Sequence, residues 1–299
     1  MTLGEVSLAE LLTLLRTSGA VIRTGPFVTK IRTREVDLVG GLHTLYSDAT
    51  LIEDAEFADF HVGVDKPAGL RRWILPRINF YFDGSVPFNP FPVGQALPLF
   101  EWGLNWSISQ NAHQYLIVHA AVIEKGGKAV IMPAPPGSGK STLCAGLVNS
   151  GWRLLSDELT LFSMVDGSVI PLARPVGLKN ESIDVIREFA PQAVISSVTA
   201  DTHKGSVAMM KPPADSVARA AEPAHPAWVI FPKYCAGSEA VLVPRSKALT
   251  CLALGENAFN YSVHGADGFR LLARVVDNCG CYDFTYSRLS DAVTVFDNL

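Results

Sequence analysis

Ala134-Pro135-Pro136-Gly137-Ser138-Gly139-Lys140-Ser141-Thr142 is the stretch on which the reading of this chain turns. It follows the phosphate-loop pattern G-x-x-x-x-G-K-[ST], with Ala134 where the first glycine is usual and Gly139, Lys140 and Ser141 in register. Gly137 and Gly139 permit backbone geometries that turn successive N–H groups toward one point. That nest, with the start of a following helix, attracts phosphate oxygens. Lys140 adds a compact positive charge for the outer phosphates of a nucleoside triphosphate, and the hydroxyl of Ser141 can ligate Mg²⁺.

The flanks supply the required context. Tyr115–Ile123 and Lys128–Pro133 are apolar runs joined by Glu124-Lys125-Gly126-Gly127, which predicts a hairpin leading into the loop. A helix is expected over about Ser141–Ser150, with Gly151 as its C-terminal cap. A short strand, Trp152–Leu155, then ends at Ser156-Asp157-Glu158, and Leu159–Met164 is apolar again before a turn at Asp166-Gly167. Asp157 follows Lys140 by seventeen positions, with one helix and one strand between. An acid at the end of a strand beside a phosphate loop can reach Mg²⁺ or the incoming nucleophile. Glu158 is a second candidate metal ligand, although neighbours on a strand point opposite ways.

Further out, residues 1–110 read as a β-rich region and residues 111–299 as the core that carries the loop. Ser7-Leu8-Ala9-Glu10 has capping-box spacing, and Leu8, Leu11, Leu12 and Leu15 follow as one face of a short helix. Phe57–Val64 and Arg77–Phe82 alternate as half-buried strands do, and a helix is expected over about Leu97–Ser109. Downstream, Trp228–Phe231 reads as a strand, and Leu249–Leu254, Gly268–Asn278 and Asp291–Leu299 as helices. The fold class expected is α/β, with a mixed sheet around the phosphate loop.

Composition bounds the function. The 299 residues are 48% hydrophobic and 18% charged, with a net charge of -4 and no long basic run, so neither disorder nor nucleic-acid binding is suggested. No run approaches the roughly 20 apolar residues of a membrane span. Five scattered cysteines, including Cys279-Gly280-Cys281, read as free thiols of a reducing, cytoplasmic compartment rather than as a metal or redox pair.

These residues resemble the HPr kinase/phosphorylase superfamily, whose fold is related to phosphoenolpyruvate carboxykinase, and within it the HPr-kinase-related kinases. His119 on the strand before the hairpin, the loop Ala134–Thr142, Arg153-Leu154-Leu155-Ser156-Asp157-Glu158 and Arg174-Pro175-Val176-Gly177-Leu178-Lys179-Asn180 carry the likeness. It implies an ATP-dependent kinase that phosphorylates a Ser or Thr hydroxyl on a peptide, small protein or amino acid. Asp157 would be the base, close to Mg²⁺, with Lys140 on the γ-phosphate, Ser141 on the metal and His119 lining the site. Homo-oligomers are common in that superfamily. Arg174, Lys179, His203, Lys204 and Lys211 are the candidate basic residues around the moving phosphoryl group, and His203-Lys204-Gly205 reads as a mobile loop able to close over substrate. HPr kinases carry a Glu two residues before the signature Arg, where this chain has Leu172. Either Glu158 or Glu181 takes that part, or the second metal role is absent, and the reverse phosphorylase reaction is not implied. Residues 186–299 do not resemble the segments that dock HPr. A regulatory nucleotide-binding module with slow hydrolysis is the alternative; a carboxykinase would bring additional metal-binding His and Lys residues and a longer chain.

Overall fold

The computed structural model describes residues 1–67 and 76–299. It is a mixed α/β protein with three sheets. The N-terminal residues begin with helix α1 (Leu8–Arg16), whose Ser7–Glu10 capping box forms as the spacing predicts. Leu11 and Leu15 are its buried positions, while Leu8 stays exposed.

A six-stranded sheet follows, in the order β3-β1-β2-β4-β5-β6, from β1 (Ala20–Thr24), β2 (Phe27–Thr33), β3 (Thr50–Leu51), β4 (Phe60–Asp65), β5 (Arg77–Phe82) and β6 (Phe91–Pro92). The β1–β2 hairpin and helix α2 (Val36–Leu45) between β2 and β3 escaped the sequence reading. Strand β4 starts at Phe60 rather than Phe57, which is exposed in the preceding loop. Helix α3 (Ala96–Asn111) lies across β4 and β5 and closes this core. It can approach so closely because Gly103 has no side chain: a Cβ there would lie 2.3 Å from the Phe80 ring.

The central sheet is mixed. Its order is β11-β10-β7-β8-β15-β17-β16, with β9 also paired to β7. Strands β7 (Tyr115–Lys125) and β8 (Lys128–Pro133) form the expected hairpin. β8 then runs parallel to β15 (His225–Tyr234), and β15 parallel to β17 (Gly280–Tyr286). On the other side of β7 come β9 (Arg153–Ser156), β10 (Leu159–Ser163) and β11 (Val169–Ile170), all antiparallel; β16 (Val241–Pro244) closes the far edge. One face is covered by α4 (Lys140–Val148), α5 (Glu181–Phe189) and α9 (Leu289–Asp297), packing Leu143, Leu147, Ile183, Ile186 and Phe296 against Val130, Met132 and Phe284. The other is covered by α7 (Lys247–Glu256) and α8 (Tyr261–Asp277), with Leu254, Leu271, Leu272 and Val276 over Val118, Ile131 and Val229. Faces buried on both sides explain why these strands read as continuous apolar runs.

A small third sheet, β12-β14-β13, holds β12 (Val176–Lys179), β13 (Thr199–Thr202) and β14 (Gly205–Met210); a short helix α6 (Ala214–Ala218) follows it. None of its three strands is expected from the sequence. Among the described residues, no helix is long and apolar enough to cross a membrane.

The contact at Gly103 tests the packing. Gly103→Ala removes a helix-interior glycine, which alone would favour the helix, but the added methyl collides with a buried aromatic ring. Urea denaturation should show a net loss of about 1–3 kcal/mol.

Candidate functional site

Strands β8, β15 and β17 run in the same direction, so their C-terminal ends share one edge of the sheet, where open α/β sheets place ligands. β8 ends at Pro133 and the chain enters the loop 134–139, with Gly137 at φ +85° and Gly139 at φ +87°. The loop is held from outside. Tyr286 at the end of β17 donates its hydroxyl to the Gly139 carbonyl at 2.9 Å, and the Tyr234 N–H at the end of β15 donates to the Ser138 carbonyl at 2.8 Å. With two carbonyls fixed outward, glycine is required at 139 twice over, for its positive φ and because a Cβ would sit 2.5 Å from the Tyr286 hydroxyl. Helix α4 begins at Lys140, and the first N–H groups of a helix have no intrahelical acceptor. The loop, the start of α4, β12 and the turn before β14 line a cleft of about 1320 Å³.

Three charged side chains meet in that cleft. His119 on β7 has Nε2 at 2.8 Å from Glu158 Oε2 and 3.1 Å from Lys140 Nζ, with Lys140 Nζ 4.0 Å from the same carboxylate. One ring nitrogen serves one of these partners at a time: protonated, it donates to Glu158; unprotonated, it accepts from Lys140. With that nitrogen turned to Glu158, Lys140 keeps only the 4.0 Å ion pair to the same carboxylate. Burial opposes the Glu158 charge, but the hydrogen bond from His119 and the charge of Lys140 outweigh it and hold its pKa at about 2. His119 is seated by residues 257–260. Its N–H donates to the Asn257 carbonyl at 2.8 Å, and buried Asn260 pairs with the backbone of Ile117 and Tyr115 as a strand would. The Asn257-x-x-Asn260 pattern looks like an ordinary helix surface in sequence, which hid this role.

Asp157 is adjacent in sequence but differently placed. Its carboxylate is buried and does not line the cleft. Oδ2 accepts the Gly177 N–H at 3.2 Å, while Oδ1 has no partner. Burial, only partly offset by Lys140, raises its pKa to about 6. Besides Lys140 and the Gly177 N–H, the Ser141 side chain also favours the ionised form. A buried, unpartnered carboxylate oxygen beside a hydroxyl is a donor set suited to a hard cation that completes its shell with phosphate oxygens and water. Among the described residues, no group of three His, Cys, Asp or Glu side chains could hold a metal by itself.

The remaining sequence candidates divide. Ala134–Thr142, Lys179 and Lys204 line the cleft with His119 and Glu158. Arg174 does not, and its expected part beside the moving phosphoryl group is corrected here. It is buried, with Nη2 at 2.6 Å from Glu101 Oε2, Nη1 at 2.7 Å from Asn105 Oδ1 and Nε at 3.3 Å from the Tyr46 hydroxyl. Burial disfavours its charge, but Tyr46 and Glu101 more than restore it. Its work is to bind the strand carrying Gly177 and Lys179 to α2 and α3. His203 turns away from the loop onto the Trp102 ring, 4.6 Å between centroids. Residues 202–205 are a tight hairpin turn tied by Thr202 rather than a free loop. Lys211 pairs with Asp48 at 2.8 Å. Leu172 is buried in the N-terminal core, so the acid expected there has no counterpart at that position, and of the two substitutes considered both Glu158 and Glu181 line the cleft. All five cysteines are free, with Cys279 and Cys281 buried.

A family model described as SynChlorMet cassette protein ScmC matches residues 104–170, a span that includes the β7–β8 hairpin, the loop and Asp157-Glu158. No curated protein matches the chain. Solved structures similar to it include the HPr(Ser) kinase/phosphatase from Coxiella burnetii, at 10% identity and a TM-score of 0.25, covering 61% of this chain and 94% of that one. A similarity of that size carries no weight for fold or function.

The Arg174 cluster is the firmest structural expectation. Arg174→Ala leaves the Glu101 carboxylate buried without its partner, and chemical denaturation should show a loss of about 3–5 kcal/mol.

Proposed function

We propose that this protein is an ATP-dependent phosphotransferase that moves the γ-phosphate to a hydroxyl of a peptide, small protein or amino acid. The observation that carries the reading is the Lys140 ammonium at the start of a helix, in one cleft with His119 and Glu158 and beside a loop that has two glycines with positive φ.

In this reading the backbone N–H groups of Gly137, Gly139, Ser141 and Thr142 and the Lys140 side chain hold the phosphates. Ser141 and Asp157 would hold Mg²⁺, which when bound neutralises charge developing on the phosphate oxygens. The two acids divide the work by position. Asp157 is shut behind the cleft wall, so the reading assigns it to the metal rather than to the base role expected from the sequence. Glu158 faces the cleft with His119, so this pair orients the acceptor hydroxyl and receives its proton as the new P–O bond forms and the bond from the γ-phosphorus to the β–γ bridging oxygen breaks, releasing ADP. A loose transition state asks more of position and charge than of base strength, so a strongly acidic Glu158 is no obstacle.

The pH dependence separates the acids. In the folded chain Asp157 ionises near pH 6 rather than near the usual ~4. Without metal its protonation adds stability at low pH that is lost as the pH rises through about 6. The carboxylate form needed for Mg²⁺ appears over the same interval.

Calorimetric titration with Mg·ATP should therefore show Mg²⁺-dependent affinity increasing between about pH 5 and 7, and Asp157→Asn should abolish that increase. Glu158→Gln should keep Mg·ATP binding and slow γ-phosphate transfer by roughly 10²–10⁴-fold. Metal-coupled binding that survives Asp157→Asn while transfer is lost would return the base role to Asp157.

A further inference from the structure

Two lysines in the cleft have no work in the scheme above. Lys179 ends β12, and Lys204 sits in the turn before β14, on the wall formed by the small third sheet rather than by the phosphate loop. Around Glu158 the ion pairs are with His119 and Lys140, and among the described residues no carboxylate lies within ion-pair reach of Lys179 or Lys204. Both bear on the same centre: Glu158 feels the charge of Lys179, and Lys204 feels those of Lys179, Glu158 and Lys140. Burial first, then the Lys179 charge, pushes Lys204 below its ordinary range. Two like charges brought together without a partner are unfavourable unless a ligand supplies the opposite charge.

The fold holds them there by specific contacts. The Lys204 ammonium lies 5.0 Å from the centre of the Trp102 ring on α3, and His203 packs on the same ring. The turn is tied to α3 by Gln95, whose amide donates to the Asp201 carbonyl at 3.0 Å. Its Thr202 hydroxyl donates to the Gly205 carbonyl at 2.6 Å and accepts the Lys204 N–H at 3.0 Å. On the Lys179 side, Asn180 adopts φ +51°, an uncommon conformation for a residue with a side chain, and its Oδ1 accepts the Ser206 N–H at 3.1 Å. Gly205, at φ +82°, leaves room for that carbonyl oxygen, which a Cβ would approach to 2.3 Å. The outcome is two lysines presented to the cleft from β12 and the β13–β14 turn, elements other than the one that carries Lys140.

We infer that Lys179 and Lys204, the latter held by Trp102, form an anion subsite for the phosphoryl acceptor, so that the acceptor is a hydroxyl compound bearing a carboxylate or phosphate close to the hydroxyl. The inference rests on the phosphotransferase reading for which part of the cleft is left for an acceptor. It also gives residues 1–110 a part in the site, because Trp102 and Gln95 belong to that region.

The test measures binding rather than turnover. The full chain is titrated calorimetrically with glycerate, glycerol 3-phosphate and, as the neutral control, glycerol, with and without Mg²⁺ and a non-hydrolysable ATP analogue that fills the phosphate loop. At least one anion should bind while glycerol does not, and whichever anion binds more tightly identifies carboxylate or phosphate as the group recognised. The double variant Lys179→Gln/Lys204→Gln should weaken anion binding by about tenfold or more, as expected for lost charge-assisted hydrogen bonds. Lys204→Arg should retain it, and nucleotide affinity should stay within about threefold of the parent, which a change confined to the acceptor side requires. Failure of both anions to bind, equal binding of glycerol, or unchanged anion affinity in the double variant overturns the inference. A parallel loss of nucleotide affinity also overturns it, since the lysines would then serve the nucleotide. If the analogue itself does not bind, the nucleotide reading fails separately, and the comparison of the lysine variants without nucleotide still decides the anion subsite.

Discussion

The cleft depends on one close approach: the backbone of Gly139 against the hydroxyl of Tyr286. Strands β8, β15 and β17 end at one sheet edge, and the side chain or backbone at the ends of the latter two takes a carbonyl of the loop that leaves the first. The carbonyl groups of Ser138 and Gly139 are tied back to the sheet, while inside the loop the Ser138 N–H donates to the Pro135 carbonyl at 3.3 Å and the Lys140 N–H to the Ser138 hydroxyl at 3.4 Å. A side chain at 139 could not be accommodated without moving Tyr286, so the concavity is a property of the parallel strand arrangement as much as of the loop sequence.

A second constraint acts from the N-terminal region. Arg174 joins Tyr46, Glu101 and Asn105 in a buried cluster three residues before Gly177, whose N–H fixes Asp157. Trp102, next to Glu101, meets the Lys204 turn. Helix α3 thus meets the segment leading into β12 through a buried ion pair and the β13–β14 turn through an aromatic face. Residues 1–110 brace the elements behind the cleft's far wall without lining the cleft themselves.

What could be read in the sequence follows from how local the chemistry is. The hairpin, loop, helix and Asp157-Glu158 lie within some forty residues, and each step is enforced by its neighbours, so pattern and geometry agree. Arg174 was misjudged because the partners that use up its charge, Glu101 and Tyr46, lie 73 and 128 positions away. Its place in a signature-like stretch said nothing about them. The third sheet escapes a sequence reading because Thr199–Met210 and Val176–Lys179 carry too many Gly, Ala, Asp and Lys residues for a strong strand pattern, and their pairing supplies what propensity lacks. Asp157 and Glu158 form the bend between β9 and β10 rather than part of a strand, and their different fates depend on β12, whose Gly177 N–H holds Asp157. Asn260 illustrates the same limit, since a buried amide that completes a strand edge has no signature in sequence.

The central claim is that the loop around Lys140 holds the phosphates of a nucleotide. Its most direct test is the Mg²⁺-dependent binding of ATP, measured by calorimetry, in the parent chain and in Lys140→Met, with circular dichroism to show that both are folded. The account predicts one site per chain in the parent and an affinity lower by about tenfold or more in the variant, the loss expected when a charge-assisted phosphate contact is removed. A folded parent that binds no nucleotide, or a Lys140→Met chain that binds ATP as tightly as the parent, would contradict it.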